Sequence, residues 1–280
     1  MKLKFLAVTA AAIIVAGSAA GCSGAGGSAD AKTVQAKAEA GKLTIGISFD
    51  RPGLGLKNPD GSYKGFDVDV AKYVANKLGV QESAITWKEA TPAQRENLIQ
   101  NGQVDYVVNT YSINDARKEK VAFAGPYFLA GQSLLVRQDN TDITGPESLN
   151  GGKKLCSVTG STPAQNIKKN YSKDAQLQEY DTPSACVEAL KSGAVDAMTT
   201  DDIQLAGYAA VNQGKLKVVG TPFSKENYGI GLKKEDTASR AKINDAVQSM
   251  IDDGSWAKAF ENNLGASGYP MPAPPTIDRY

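Results

Sequence analysis

From Lys42 onward, short β-rich runs alternate with amphipathic segments, and the period of the apolar positions tells them apart. Leu43 to Ser48 reads as a strand. Phe66 to Leu78 reads as a helix, because Phe66, Val70, Val74 and Leu78 recur every four residues and give it one apolar face. A strand at Ala84 to Lys88, a helix at Ala93 to Gln100 and a strand at Val104 to Val108 repeat the unit, a βαβαβ order that calls for a parallel sheet. A second alternation follows, with a strand at Lys154 to Val158, a helix starting over Pro163 to Lys169, a helix at Ser184 to Lys191 and a strand at Val195 to Thr199. Ser133 to Arg137 is a further short strand between the two series. After Val218 come a strand at Tyr228 to Leu232 and a helical stretch from Ala238 to Asn263, interrupted near Gly254.

The economical arrangement is two α/β lobes, with the chain crossing between them near Gly131 and again near Tyr228. Two crossings make a hinge. The expected organisation is a first lobe from residues 41–131 and 229–267, a second lobe from 132–228, and a tail at 268–280 carrying Pro270, Pro272, Pro274 and Pro275 and lying extended on the surface. The 280-residue length suits two separate cores.

The first residues belong to neither lobe. Lys2 and Lys4, an apolar run from Phe5 to Gly17 and small residues up to Ala19-Ala20-Gly21-Cys22 are secretory-signal chemistry. The apolar run is too short to span a bilayer. A cysteine at the cleavage point resembles a bacterial lipobox, although Ala19 stands where that pattern usually has Leu. Residues 1–21 are therefore expected to be a removed signal, Cys22 a lipid attachment point, and 22–40 a tether whose Ser23 to Asp30 part is Gly, Ser and Ala before its final Asp. The plainer alternative is an unmodified cysteine in an ordinary signal peptide.

Charge and composition remove several function classes. Lys and Arg total 31 against 30 Asp and Glu, and losing Lys2 and Lys4 with the signal keeps the balance near neutral, so there is no electrostatic case for nucleic acid. Histidine is absent, which excludes His-based triads and metal sites of the His and Cys type. No cofactor motif is present: Gly53-Leu54-Gly55 lacks the third glycine and helix start of a nucleotide fingerprint, and there is no P-loop. Beyond Cys22 the cysteines are Cys156 and Cys186. In an exported protein two thiols suggest a disulfide, whose loop of about 30 residues would contribute roughly 3–4 kcal/mol; two separate buried thiols are the alternative.

Ligands of open α/β sheets bind beyond the carboxyl ends of the strands, and three such places carry suitable chemistry. Asn109 to Arg117 offers hydroxyls, Ser112 or Asn114 as a helix cap, and Arg117 near the first turn, together a carboxylate receptor. Thr159 to Pro163 offers hydroxyls, a glycine and a proline suited to a first helical turn. Thr200-Asp201-Asp202 places a carboxylate where an ammonium group could be met. Each has a bland alternative: a capped helix with a surface arginine, an ordinary strand-to-helix turn, and two solvated charges or a cap.

Several runs together resemble the family 3 solute-binding proteins of amino-acid ABC importers, over about Gly41 to Leu264. They are Gly65-Phe66-Asp67-Val68-Asp69-Val70, Arg95 to Asp105, Arg117 with Lys118, Tyr228-Gly229-Ile230-Gly231, and Asp252-Asp253-Gly254-Ser255-Trp256. The resemblance implies a type II periplasmic-binding-protein-like fold. It implies that Arg117 clamps a ligand α-carboxylate with Thr110 and Ser112, that Ser161 and Thr162 add donors from the second lobe, and that Asp201 rather than Asp202 meets the α-ammonium. Arg95 resembles the arginine that approaches the distal carboxylate in glutamate and aspartate binders, and Arg51, just after the first strand, offers a second guanidinium. Two arginines suit an anionic side chain. Against this, Arg95 could pair with Glu96 or Glu89, and the Pro52 to Asp60 loop beside Arg51 departs from the aromatic-containing pattern of glutamine-type members.

The expected function is thus non-catalytic capture of glutamate or aspartate and delivery to an ABC permease, by a monomer without cofactor or metal, anchored to the outer face of the cell membrane. The alternatives are a glutamine, asparagine or broader polar amino-acid binder, an enzyme of the same fold such as a cyclic-acid dehydratase, which would need a poised carboxylate, Lys or Tyr in the cleft, and a sensor ectodomain.

Overall fold

The structure, a computed structural model, describes residues 32–171 and 175–280. The expected signal segment, Cys22 and the start of the tether lie outside the described residues. Among the described residues no helix is long and apolar enough to cross a membrane.

The first lobe contains α1 (Val34–Glu39), β1 (Leu43–Ile47), β2 (Asp50–Arg51), β3 (Gly55–Lys57), β4 (Tyr63–Lys64), α2 (Phe66–Lys77), β5 (Ile85–Glu89), α3 (Arg95–Gln100), β6 (Tyr106–Val107), α4 (Asp115–Lys118) and β7 (Ala122–Ala130). The chain then builds the second lobe from β8 (Gln132–Arg137), β9 (Lys154–Val158), α5 (Thr162–Asn170), β10 (Gln176–Tyr180), α6 (Pro183–Lys191), β11 (Ala197–Asp201), α7 (Asp202–Val211) and β12 (Leu216–Val219). It returns through β13 (Glu226–Leu232) to finish the first lobe with α8 (Thr237–Asp252) and α9 (Ser255–Leu264). The sheets run β5-β1-β6-β13-β7 and β10-β9-β11-β8-β12. β1 is parallel to β5 and β6, as the βαβαβ pattern requires, whereas the returning β13 is antiparallel to β6 and β7.

The α2 pattern works as its spacing demands: Phe66, Val70 and Val74 are fully buried. Gly65 opens this helix at φ 131°, and a Cβ there would lie 2.0 Å from the Leu54 carbonyl oxygen, so only glycine fits. Phe66 packs edge-on against Trp256, with ring centroids 5.7 Å apart, and the Trp256 indole N–H donates to the Tyr127 carbonyl at 2.8 Å. Gly254, at φ 79°, separates α8 from α9, at the expected interruption.

Part of the expected tether is folded. Thr33 caps α1 by accepting from the Ala36 N–H, Val34 and Ala38 are buried, and the Val34 and Gln35 N–H groups donate to Asp236 Oδ2 (2.7 Å) and Ser239 Oγ (3.0 Å). The i, i+4 pair Val34 and Ala38 supplies the apolar face that a tether would lack. The tail after Ser267 has no helix or strand but is held at both ends. Tyr269 Oη donates to Asp202 Oδ2 at 2.9 Å, the Asp278 N–H donates to the Gly125 carbonyl at 2.8 Å, and Ile277 packs on the first-lobe core.

The chain leaves the first sheet after β7 and enters the second at β8, so Gly131 lies at the crossing, beside the returning segment. A Cβ at Gly131 would meet Pro222 Cβ at 2.5 Å and the Ser224 carbonyl at 2.9 Å. Asp202 ties this crossing to α7: its N–H donates to the Gly131 carbonyl (2.7 Å) and its Oδ1 accepts from the Gly131 N–H (3.2 Å).

Candidate functional site

The carboxyl ends of β1 and β6 face those of β9 and β11 across the cleft, which is where the eight candidate residues meet. Arg51, Arg95, Thr110, Ser112 and Arg117 line it from the first lobe, and Ser161, Thr162 and Asp201 from the second, with Pro92, Val158, Thr200 and Gln204 filling between them. The cleft is shut. Gly160 carries its backbone against Ala93, close enough that a Cβ would lie 2.8 Å from the Ala93 Cα, and Arg117 Nη2 donates to the Gly160 carbonyl at 3.3 Å. The residual cavity is about 20 Å³, too small for an amino acid, so the lobes must part before a ligand enters.

Three buried guanidinium groups crowd the first-lobe wall. Arg51, 3% exposed, donates through Nη1 to Asn109 Oδ1 and Thr110 Oγ1, and its Nε has no partner. Arg95, also 3% exposed, donates to the Asn109 carbonyl at 3.1 Å and lies over the Tyr111 ring at 3.8 Å, and its Nε is likewise without a partner. Burial, and then the neighbouring charges of Arg117 and Arg51, push the Arg95 guanidinium down to about 9. Arg117 donates to the Ser112 carbonyl at 2.7 Å, while its Nε lies 3.4 Å from Glu96 Oε1. Glu96, one of the acids offered as a partner for Arg95, is thus paired with Arg117. Asn114, not Ser112, caps α4, accepting from the Arg117 N–H at 2.9 Å.

Behind these side chains sits Asp67, fully buried, whose role the sequence did not disclose. Its Oδ2 accepts from the Thr110 N–H (2.9 Å) and its Oδ1 from Tyr127 Oη (2.8 Å). Thr110 is held at φ 39°, an unfavourable conformation for a β-branched residue, and Asp67 with Tyr127 Oη (3.1 Å) anchors its N–H there. Desolvation lifts the Asp67 carboxyl to about 6 against the opposing pull of Tyr127 and Arg51.

The opposite wall is acidic. Asp201 Oδ2 accepts from Tyr228 Oη (2.6 Å) and Gln204 Nε2 (2.8 Å), whereas Asp201 Oδ1 and Gln204 Oε1 are buried with no partner. Burial, reinforced by the Glu226 carboxylate, raises the Asp201 carboxyl above its ordinary range. Ser161 precedes α5 without using its hydroxyl as a cap; its Oγ lies 3.2 Å from Ser157 Oγ. Gln204, Tyr228 and Asn109 are site residues that the sequence does not nominate; spacing offers a signal for two of them, Gln204 one helical turn from Asp201 and Asn109 beside Thr110, and none for Tyr228, which is 27 residues from its partner Asp201.

Chemically, the cleft offers guanidinium donors on one side and carboxylate and amide acceptors on the other, a recognition surface for a molecule with separated negative and positive groups. Among the described residues no cluster of His, Cys, Asp or Glu could hold a metal ion. Cys156 and Cys186 are joined in a disulfide, with Cα atoms 5.7 Å apart, linking β9 to α6 beneath the second-lobe wall.

Residues 43–266 match the family described as bacterial extracellular solute-binding proteins, family 3. The chain is 48% identical over 274 residues to the glutamate-binding protein GluB of Corynebacterium efficiens, an alignment covering 95% of this chain and 92% of that protein. It is 36% identical over 265 residues to the ABC transporter glutamine-binding protein GlnH of Bacillus subtilis, covering 93% and 96%. A solved ancestral arginine-binding protein bound to glutamine shares the two-lobe fold, with a TM-score of 0.75, 36% identity, and coverage of 80% of this chain and 98% of that one. The fold, the cleft and these similarities agree, and the chain belongs to the bacterial extracellular solute-binding proteins of family 3.

Proposed function

We propose that this protein captures an acidic amino acid, glutamate first and aspartate second, between its lobes and delivers it to the permease of an ABC importer. The observation that carries the reading is the charge layout: Arg51, Arg95 and Arg117 on one wall, and Asp201 with an unpartnered Oδ1 on the other. Arg117 with Thr110, Ser112, Ser161 and Thr162 takes the α-carboxylate, and Asp201 with Gln204 takes the α-ammonium. Arg95 and Arg51 take the side-chain carboxylate, which relieves the mutual repulsion of the guanidinium groups. A neutral side chain would leave that repulsion in place. The glutamate-binding relative at 48% identity supports the same ligand; the glutamine-binding relative at 36% makes glutamine the competitor to be tested.

No group in the cleft is assigned a role in chemistry on the ligand. Closure brings the second-lobe donors onto a ligand bound to the first lobe, and contacts absent from the open form are what stabilise the closed one. The protein acts as a monomer, and Cys22 carries the lipid that holds it at the membrane. Isothermal titration of the purified protein against the twenty common amino acids tests the ligand: glutamate should bind tightest, and a best ligand without a side-chain carboxylate would overturn the assignment. Mass spectrometry of the membrane-extracted protein should find a diacylglyceryl group on Cys22; a free thiol there would refute the anchor.

A further inference from the structure

Beside the ligand cleft, a second contact joins the lobes through residues that do not line it. Asp50, in β2 of the first lobe, directs its carboxylate at the first turn of α6 in the second lobe. Its Oδ2 accepts from both the Ser184 N–H (3.1 Å) and Ser184 Oγ (2.7 Å), and its Oδ1 accepts from Ser48 Oγ (2.9 Å). The Asp50 carbonyl accepts from Tyr208 Oη of α7 (2.8 Å), and a Cβ at Gly207 would lie 2.3 Å from the Pro52 carbonyl. β2 is therefore seated against α6 and α7 of the second lobe.

The start of α6 leaves one donor for this purpose. A helix begins with N–H groups that have no partner within the helix. Pro183, the first helical residue, has no N–H, and Thr182 at the cap accepts from the Ala185 N–H at 3.3 Å. The Ser184 N–H between them is satisfied by a carboxylate of the other lobe, and the α6 dipole favours an anion at that end. Opening the lobes would hand this donor, the Ser184 hydroxyl and the Asp50 carboxylate back to water.

We propose that Asp50 is a positioning residue that sets the closed-to-open equilibrium independently of which amino acid is bound. The proposal rests on the two-lobe capture reading above. A ligand-independent closure contact multiplies the apparent affinity for every ligand by the same factor, because each ligand needs the closed form. This separates Asp50 from Arg51 next to it, whose loss would change the preference between ligands.

The test is titration of Asp50→Ala, Asp50→Asn, Ser184→Ala and the Asp50→Ala/Ser184→Ala double variant with glutamate and with glutamine, with small-angle scattering of each protein without ligand. Asp50→Ala should weaken both ligands about tenfold, as expected for charge-assisted hydrogen bonds to a half-buried carboxylate, and should leave their ratio unchanged. Asp50→Asn, which still accepts from the Ser184 N–H, should recover part of the loss. Ser184→Ala should cost less, since its N–H remains, and the double variant should lose less than the product of the single losses. Unliganded Asp50→Ala should be no more compact than the parent. Unchanged affinities, or a shifted glutamate-to-glutamine ratio, would overturn the proposal. If the parent protein binds no amino acid, the capture reading fails instead; if Arg117→Ala abolishes binding while Asp50→Ala has no effect, only the role of Asp50 fails.

Discussion

Replacing Arg95 by methionine should make the unliganded protein more stable and a poorer glutamate binder at the same time. Arg95 is 3% exposed, and burial followed by the Arg117 and Arg51 charges lowers its guanidinium from the ordinary arginine range to about 9, a cost to the charged form on the order of 4–5 kcal/mol. The sign follows from linkage. The folded state holds the proton less tightly than the unfolded chain, so the cost is fully present below about 9 and is relieved only as pH rises toward the unfolded value. Methionine fills similar space without charge. It gives up the hydrogen bond to the Asn109 carbonyl and the contact with the Tyr111 ring, together about 2–4 kcal/mol. The balance is a gain of about 0–3 kcal/mol, with its middle at about 1.5 kcal/mol, or about 3–6 °C in the melting temperature. Binding moves the other way. Removing one partner of a buried charge pair costs about 2–5 kcal/mol, so glutamate affinity should fall about 30-fold or more, whereas glutamine, whose amide carbonyl accepts from the guanidinium without a countercharge, should lose several-fold less. Thermal unfolding without ligand and titration with both amino acids measure the two effects. An Arg95→Met protein that melts below its parent and keeps the parental glutamate-to-glutamine ratio would refute the reasoning.

Acidification should separate binding from stability at Asp201. Its carboxyl is raised by burial and by Glu226, so falling pH protonates it in the free protein and removes the partner proposed for the α-ammonium; affinity should drop between pH about 7.5 and about 5, and Asp201→Asn should be weak across that range and flatter in pH. The same shift means that this group's destabilisation of the unliganded fold grows as pH rises from the ordinary carboxylate range through the raised value, which pH-dependent melting of parent and variant will show. Gly160→Ala should obstruct closure, since its Cβ would lie 2.8 Å from Ala93 Cα and 2.9 Å from Ala93 N; affinity should fall about tenfold or more, beyond the ~1 kcal/mol that the left-handed conformation costs stability, and titration beside denaturant unfolding separates the two. Replacing Cys156 and Cys186 together by alanine should lower stability by about 2–5 kcal/mol, read as an earlier denaturant midpoint; an unchanged midpoint would show that the bond constrains little.

Much of the fold was legible because its strongest elements carry their own period. α2 shows it in Phe66, Val70 and Val74, and the break between α8 and α9 shows it in Gly254. What the pattern missed has physical causes. β7 contains Gly125-Pro126, which locally signals a turn, yet it pairs with β13 along most of its length, because tertiary pairing overrides local preference. β10, Gln176 to Tyr180, is an edge strand with no fully buried position, so no apolar alternation marks it. α7 carries no clear helical signal beyond the Thr200-Asp201-Asp202 strand end, since Ala206, Gly207, Ala209 and Ala210 dilute its apolar face.

The site divides along the same line. Arg117, Ser161 and Asp201 could be nominated from their chemistry just beyond strand ends, Arg95 and Arg51 from the family resemblance, and the structure brings all eight candidates to one cleft. Residues that act by holding others could not. Asp67 lies in the Gly65 to Val70 run, but nothing in that run says that its carboxylate reaches Thr110 and Tyr127, far along the chain. Tyr228 stands in a strand and in the Tyr228-Gly229-Ile230-Gly231 run, neither of which says that its hydroxyl holds one oxygen of Asp201 and leaves the other unpartnered. These buried contacts also explain why the first-lobe wall can keep three guanidinium groups together. Asn109 binds Arg51 through its side-chain oxygen and Arg95 through its carbonyl, and Tyr111 lies under Arg95, so these two are fixed in place by neutral groups while Glu96 faces Arg117. In the proposed reading a ligand carboxylate meets pre-positioned donors whose repulsion it relieves, so the crowding that disfavours the empty cleft favours an anion within it.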